Sequence, residues 1–294
     1  MRKIIAFLLF FVAFLSGAEK FSPSLGIFYD EQKANLGKRL FFDKRLSNGE
    51  KKSCETCHNL YWDFSGSIRK NSDRNLLNPP SVLNAATNYI FFKNGSVRDI
   101  SEQVAISITS DIQLGIDEQR FVAKISDISD YRSLFGKIYS DGVTFKNAVN
   151  ALVEFERAIY TASSPFDKFL MGDKNALNED EKKGYEIFQK VGCVACHSGV
   201  NLGSNLLQEK QFYKNVLSGN SVSDKTGQNL YKVPSLRNIA RTAPYMFDGS
   251  ILYLKDAITH VADLQLMQKL SKEQVDLIYK FLLSLNGEHP RILR

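Results

Sequence analysis

Cys54-Glu55-Thr56-Cys57-His58, early in the chain, and Cys193-Val194-Ala195-Cys196-His197, in its second half, hold all four cysteines of the 294 residues. Three chemistries use Cys-x-x-Cys pairs: two disulfides, one zinc site of four thiolates, or two haem attachment sites. Disulfides and zinc give no reason for a histidine directly after both second cysteines. Haem c does, because the two thiols form thioethers to the vinyl groups and the adjacent histidine ligates the iron. The reading is two covalently bound haem c groups. Cys54, Cys57, Cys193 and Cys196 anchor them, and His58 and His197 are iron ligands.

The N-terminus fits that chemistry. Arg2 and Lys3 precede an apolar run from Ile4 to Leu15, and Ser16-Gly17-Ala18 supplies small residues for cleavage. This reads as a secretory signal peptide over residues 1–18, which implies a periplasmic protein. The run is shorter than the roughly 20 residues a bilayer span needs, and no other stretch is long and apolar enough. No membrane span is expected once the signal is removed. The net charge of +6 is spread among interleaved acids, so nothing suggests nucleic acid.

Hydrophobic spacing predicts an all-α fold of two cytochrome c-like haem domains with long loops. Phe145, Ala148, Leu152, Phe155 and Ile159 share a face between Thr144 and Ala162, and Ser163-Ser164-Pro165 ends that helix. Asn178 caps a helix that runs to Gly192, just before Cys193. Ser271 and Gln274 form a capping box for a last helix with Val275, Ile278, Phe281, Leu282 and Leu285 inside. Ser198–Tyr231 reads as a long loop. The first haem domain is placed at residues 19–172 and the second at 173–294.

Several ordered segments resemble the bacterial dihaem cytochrome c peroxidase family. They are Leu36-Gly37-Lys38-Arg39-Leu40-Phe41-Phe42-Asp43, Asn78-Pro79-Pro80-Ser81-Val82-Leu83-Asn84-Ala85, Ser164-Pro165-Phe166-Asp167-Lys168, Lys232-Val233-Pro234-Ser235-Leu236-Arg237-Asn238 and Thr242-Ala243-Pro244-Tyr245. The resemblance spans nearly the whole mature chain. It implies reduction of hydrogen peroxide to water at the N-terminal haem. Electrons would come from a small periplasmic cytochrome c or cupredoxin through the C-terminal haem. It also implies a calcium ion held by Asn78, Thr242 and Pro244, and a homodimer.

This chain departs from the family at the reacting centre. The family's Gln is kept as Gln103, but its acidic base falls on Gln113, an amide that cannot take and return a proton. Asp111, two residues away, is the alternative base. The family's inter-haem Trp becomes Lys93, while the only Trp is Trp62. Residues 59–170 contain no His or Met, so the first iron is expected to be open opposite His58. The second haem's Met falls on Val261. Its neighbour His260 is the candidate sixth ligand, with Met246 and Met267 also in range and His289 expected to be exposed. These departures admit two other readings: a dihaem electron-transfer or sensing protein, and a dihaem enzyme that oxidises a partner protein.

Overall fold

A computed structural model describes residues 20–61, 78–209 and 230–294. The signal-peptide reading and Trp62 lie outside them. The described residues form helices α1 (Glu31–Phe42), α2 (Ile100–Thr109), α3 (Glu118–Asp127), α4 (Ser129–Ile138), α5 (Phe145–Ala158), α6 (Pro165–Leu170), α7 (Glu179–Lys190), α8 (Leu254–Leu264) and α9 (Lys272–Leu283). Two three-residue strands, β1 (Leu207–Glu209) and β2 (Leu230–Lys232), pair antiparallel within the stretch read as loop. Strands this short cannot show alternation in a sequence. The all-α class otherwise holds.

Asn178 and Ser271 cap their helices as the sequence reads, with Asn178–Glu181 and Ser271–Gln274 completing capping boxes, and Thr144 caps α5 in the same way, its side chain accepting from a first-turn N–H. Helix α5 stops at Ala158, short of the expected Ala162. There the chain finds another partner: the Thr161 N–H donates to Asn84 Oδ1 at 2.6 Å instead of continuing the helical ladder.

Two glycines set the helix crossings. A Cβ on Gly37 of α1 would lie 1.9 Å from the Ala151 carbonyl oxygen of α5. A Cβ on Gly184 of α7 would lie 2.0 Å from the Leu277 oxygen of α9. Only a residue without a side chain allows backbones this close. One turn beyond each glycine a phenylalanine packs on the partner helix, Phe41 on Phe155 at 5.1 Å and Phe188 on Phe281 at 5.2 Å. The two crossings are copies of one another.

The copying extends to the loops. Pro80–Val97 and Pro234–Ile251 match position by position, with Pro-Ser, Asn84/Asn238, Gly95/Gly249 and Ser96/Ser250 in register. Asn84 and Asn238 both take φ 61°, and Phe92 and Met246 share positive φ. Asn84 Oδ1 receives the Thr161 N–H, and Asn238 Oδ1 receives the equivalent Gly287 N–H. The copies also clasp each other. Asn78 N–H donates to the Phe247 carbonyl at 2.9 Å, and Lys232 N–H donates to the Lys93 carbonyl at 2.7 Å. These are the same bond seen from either half, so a pseudo-twofold relation runs through Lys93 and Phe247.

The packed side chains form two clusters. The first runs from Leu36 to Ile159 and takes in Leu293. The second takes in Phe21 and then runs from Phe166 to Leu285. The division falls between Ile159 and Phe166, a few residues before the 172/173 boundary placed from the sequence. Each end of the described chain packs on the opposite half, which ties the halves together.

Candidate haem sites

Cys54–Thr56 and Cys193–Ala195 each form a single 3-10 turn. Side chains three apart eclipse in such a turn, so each Cys-x-x-Cys spacing sets two thiols along one edge. The turns are closed by Cys57 N–H to the Cys54 carbonyl and Cys196 N–H to the Cys193 carbonyl, with each histidine N–H returning to the first cysteine. No disulfide joins any of the four cysteines.

Both histidines are aimed by carbonyls. His58 Nδ1 lies 3.0 Å from the Pro80 oxygen, and His197 Nδ1 lies 2.9 Å from the Leu202 oxygen. Nδ1–H donates to those carbonyls, which leaves Nε2 for a metal. Burial pushes His58 down to about 4 and lowers His197 as well, so each imidazole is the neutral form that ligates iron. Gly203 closes the loop beneath His197. Its φ is 131°, and a Cβ there would meet the Pro234 oxygen at 2.1 Å.

A cavity opens over the first turn. Cys54, Cys57 and His58 line it together with Gln103, Val104, Ser107 and Ile108 of α2, Gln113 and Leu114 of the next loop, and Leu152 and Glu156 of α5. Gln103 Nε2 donates to Ser107 Oγ at 2.8 Å. The loop folds back because Leu114 N–H bonds the Ser107 carbonyl and Gly115 N–H, at φ 64°, bonds the Ser110 carbonyl. Gln103 and Gln113 thus line one cavity with Cys54, Cys57 and His58. Asp111 does not: it stands exposed on the outside of that turn.

Glu156 is the cavity residue that sequence reading missed. It is 7% exposed, Oε2 has no hydrogen-bond partner among the described residues, and burial pushes its carboxyl up to about 8. Burial first and the Glu156 charge second raise the Cys54 thiol to about 12. A signal was there: Glu156 falls four residues after Leu152 and eight after Ala148, on the helix face called core. Glu154, by contrast, accepts from Asp30 N–H and Arg157.

Between the halves, Asn78 Nδ2 donates to the Pro244 carbonyl at 2.7 Å and to the Met246 carbonyl at 3.1 Å. Asn78 and Pro244 are brought together, while Thr242 engages the Ile239 carbonyl through its N–H and hydroxyl. Lys93 Nζ donates to the Phe247 carbonyl at 2.7 Å and sits 4.0 Å from that ring's centroid. Burial pushes Lys93 down to about 7, against the opposing pull of Asp248. His260 is half-buried on α8, Met246 packs against the second core, and Met267 is 86% exposed. His289, expected to be exposed, is half-buried, with Nδ1 3.2 Å from the Pro290 oxygen.

Among known proteins, a family model described as di-haem cytochrome c peroxidase matches residues 31–175. The cytochrome c551 peroxidase of Nitrosomonas europaea is 37% identical over 269 residues, covering 87% of this chain and 80% of that protein. The cytochrome c551 peroxidase of Pseudomonas aeruginosa is 33% identical, covering 89% and 81%. A solved MauG-like protein associated with microbial copper homeostasis superposes with a TM-score of 0.73 at 23% identity, covering 93% of this chain and 95% of that one. This last likeness concerns the fold.

Proposed function

Because this chain belongs to the di-haem cytochrome c peroxidase family, we propose that it reduces hydrogen peroxide to water in the periplasm with electrons from a small cytochrome c or cupredoxin. The observation that carries this is the cavity in which Gln103 and Gln113 face the Cys54–His58 turn. Cys54, Cys57 and His58 would hold one haem c, and Cys193, Cys196 and His197 the other. Bound there, haem iron supplies a site for peroxide and a store of electrons. The His58 Nδ1–H bond to Pro80 keeps that imidazole oriented. Gln103, fixed by Ser107, can orient a peroxide oxygen by hydrogen bonding. The apolar wall of Val104, Ile108, Leu114 and Leu152 limits water. Residues 59–170 contain no His or Met that would compete with peroxide for an iron held by His58. Electrons would arrive at the second haem, where His260 is the proposed sixth ligand. The segments around residues 19–172 and 173–294 would act as peroxide-binding and electron-accepting domains. Among the described residues no helix is long and apolar enough to cross a membrane.

The test is peroxide turnover by the dihaem protein with a reduced cytochrome donor. Wild type is expected to turn over, and its failure to do so overturns the reading in favour of an electron-transfer or sensing role. General acid–base groups contribute about 10²–10⁴-fold. If Gln113 were the one missing group, Gln113→Glu would gain on that scale. No gain on that scale is expected. Lys93 stands where the resemblance implies an inter-haem Trp and cannot itself carry an electron or radical, which weighs against oxidation of a partner protein.

Calcium is proposed at Asn78, Thr242 and Pro244. Turning the Asn78 amide over would set Oδ1 beside the Pro244 and Met246 carbonyls, hard oxygen ligands of the kind calcium takes. A chelator should then lower the thermal midpoint, and re-addition of calcium should restore it. An unchanged midpoint counts against the ion.

A further inference from the structure

We propose that Glu156 is the catalytic acid of the first haem site, taking the role for which Gln113 has no proton. This rests on the peroxidase reading and deepens it. The argument begins with placement. Glu156 is on α5, one turn after Leu152, and both side chains line the cavity that also contains Cys54 and His58. A haem held by those residues would border the same cavity, which puts Glu156 within the site where peroxide would react.

The second point is the state of the carboxyl. Among the described residues, Oε2 is buried and has no hydrogen-bond partner. Buried polar groups are nearly always satisfied, so an exception at a cavity wall needs an explanation, and a catalytic role is one. The other carboxylate of the same helix turn, Glu154, is held by Asp30 and Arg157. Nothing comparable engages Glu156 among the described residues. The charged and titratable groups lining the cavity from the facing turn are Lys52, Cys54, Cys57 and His58. The thiols no longer titrate once they are thioethers. From α2 and its loop come only amides and hydroxyls. Burial holds the Glu156 carboxyl protonated to about pH 8, so it has a proton to give at neutral pH.

The chemistry balances as follows. Glu156 gives its proton to one peroxide oxygen, and the O–O bond breaks as that oxygen leaves as water. The carboxylate takes back the proton from the other oxygen and ends as it began. That second oxygen becomes water with two electrons from the donor protein and two protons from solvent. Gln103 and Gln113 orient the peroxide throughout and change protonation nowhere.

The experiment compares the dihaem wild type with Glu156→Gln, a near-isosteric change that replaces the ionisable carboxyl with an amide. First, stopped-flow mixing of the enzyme with hydrogen peroxide reads the rate of the first spectral change. A fall of about 10²-fold or more is expected. Second, the ferric absorption spectrum is titrated without peroxide. Wild type should show a transition near pH 8 that Glu156→Gln lacks. The reaction rate in wild type should fall as pH rises through the same region, because the carboxylate has no proton to donate. A Glu156→Gln enzyme that reacts at the wild-type rate with the wild-type pH profile overturns the proposal. If that variant fails to incorporate haem, wild type decides alone: a spectrum and rate that are both flat through pH 8 overturn it. Should wild type show no peroxide turnover, the function falls, while the spectral transition still tests Glu156 as the acid of this pocket.

Discussion

Asp167→Ala should lower the thermal midpoint by on the order of 10 °C, through a loss of about 3–5 kcal/mol. Asp167 and Arg237 form an ion pair whose side chains are 0% and 1% exposed. Both guanidinium NH groups bond the two carboxylate oxygens at 2.9 Å. The carboxylate also receives Ser24 N–H, Ser164 N–H and Ser164 Oγ–H. Removing it strands a guanidinium in the interior and leaves three further donors unmatched. Forming such a pair gains little over a well-packed apolar substitute, whereas breaking one costs the burial of a lone charge. Asp167→Ala combined with Arg237→Met should therefore recover part of the loss, and calorimetry of the three variants checks the ordering. A double variant less stable than the single one would contradict the account.

That network reaches the second haem site. Arg237 Nε donates to the Val200 carbonyl, and Ser235 Oγ donates to the Asn201 carbonyl. Leu202, whose carbonyl aims His197, is the next residue. A ring-orienting carbonyl influences how strongly a histidine ligates. Asp167→Ala is therefore also expected to alter the absorption of the haem on His197 while leaving the haem on His58 unchanged.

The haem attachment sites were legible because their chemistry is local. Two thiols and a histidine at fixed spacing point to haem attachment without reference to the rest of the fold. The α5, α7 and α9 helices were legible for a similar reason: Thr144, Asn178 and Ser271 state their N-termini, and the apolar stripes state their buried faces. The C-terminus of α5 was not, since it is set by Asn84, far away in the chain. Asp111 looked available because it sits near Gln113, but Gly115 turns the chain so that one faces the cavity and the other faces water. Glu156 was overlooked although its helical spacing with Leu152 puts a carboxyl on a core face. The internal repeat of Pro80–Val97 and Pro234–Ile251 was also legible in principle. It is hidden by pairs such as Lys93 and Phe247, which share a place in the fold and almost no chemistry.

The same repeat allows the two haem sites to be disturbed one at a time. Gly37→Ala and Gly184→Ala each place a methyl about 2 Å from a backbone oxygen on the crossing helix. Neither oxygen can swing aside, because it belongs to a helix backbone. The helices must separate by about an ångström, and the phenylalanine pairs at 5.1 and 5.2 Å must part with them. Overpacking of a well-filled interior costs about 1–3 kcal/mol, and a clash with backbone belongs at or above the top of that range. The consequences should differ by site. Phe41, Leu152 and Glu156 line the first cavity from α1 and α5, so Gly37→Ala should change the pH transition and peroxide reactivity of the haem on His58. Helix α7 leads directly into Cys193, and Phe188 lies 6.5 Å from the His197 ring. Gly184→Ala should therefore shift the reduction potential of the other haem and slow electron delivery, with the first step with peroxide unchanged. Spectroelectrochemistry of each variant separates the two. Parallel losses at both haems in either variant would mean that the clasp through Lys93 and Phe247 couples the halves more tightly than the separate cores suggest.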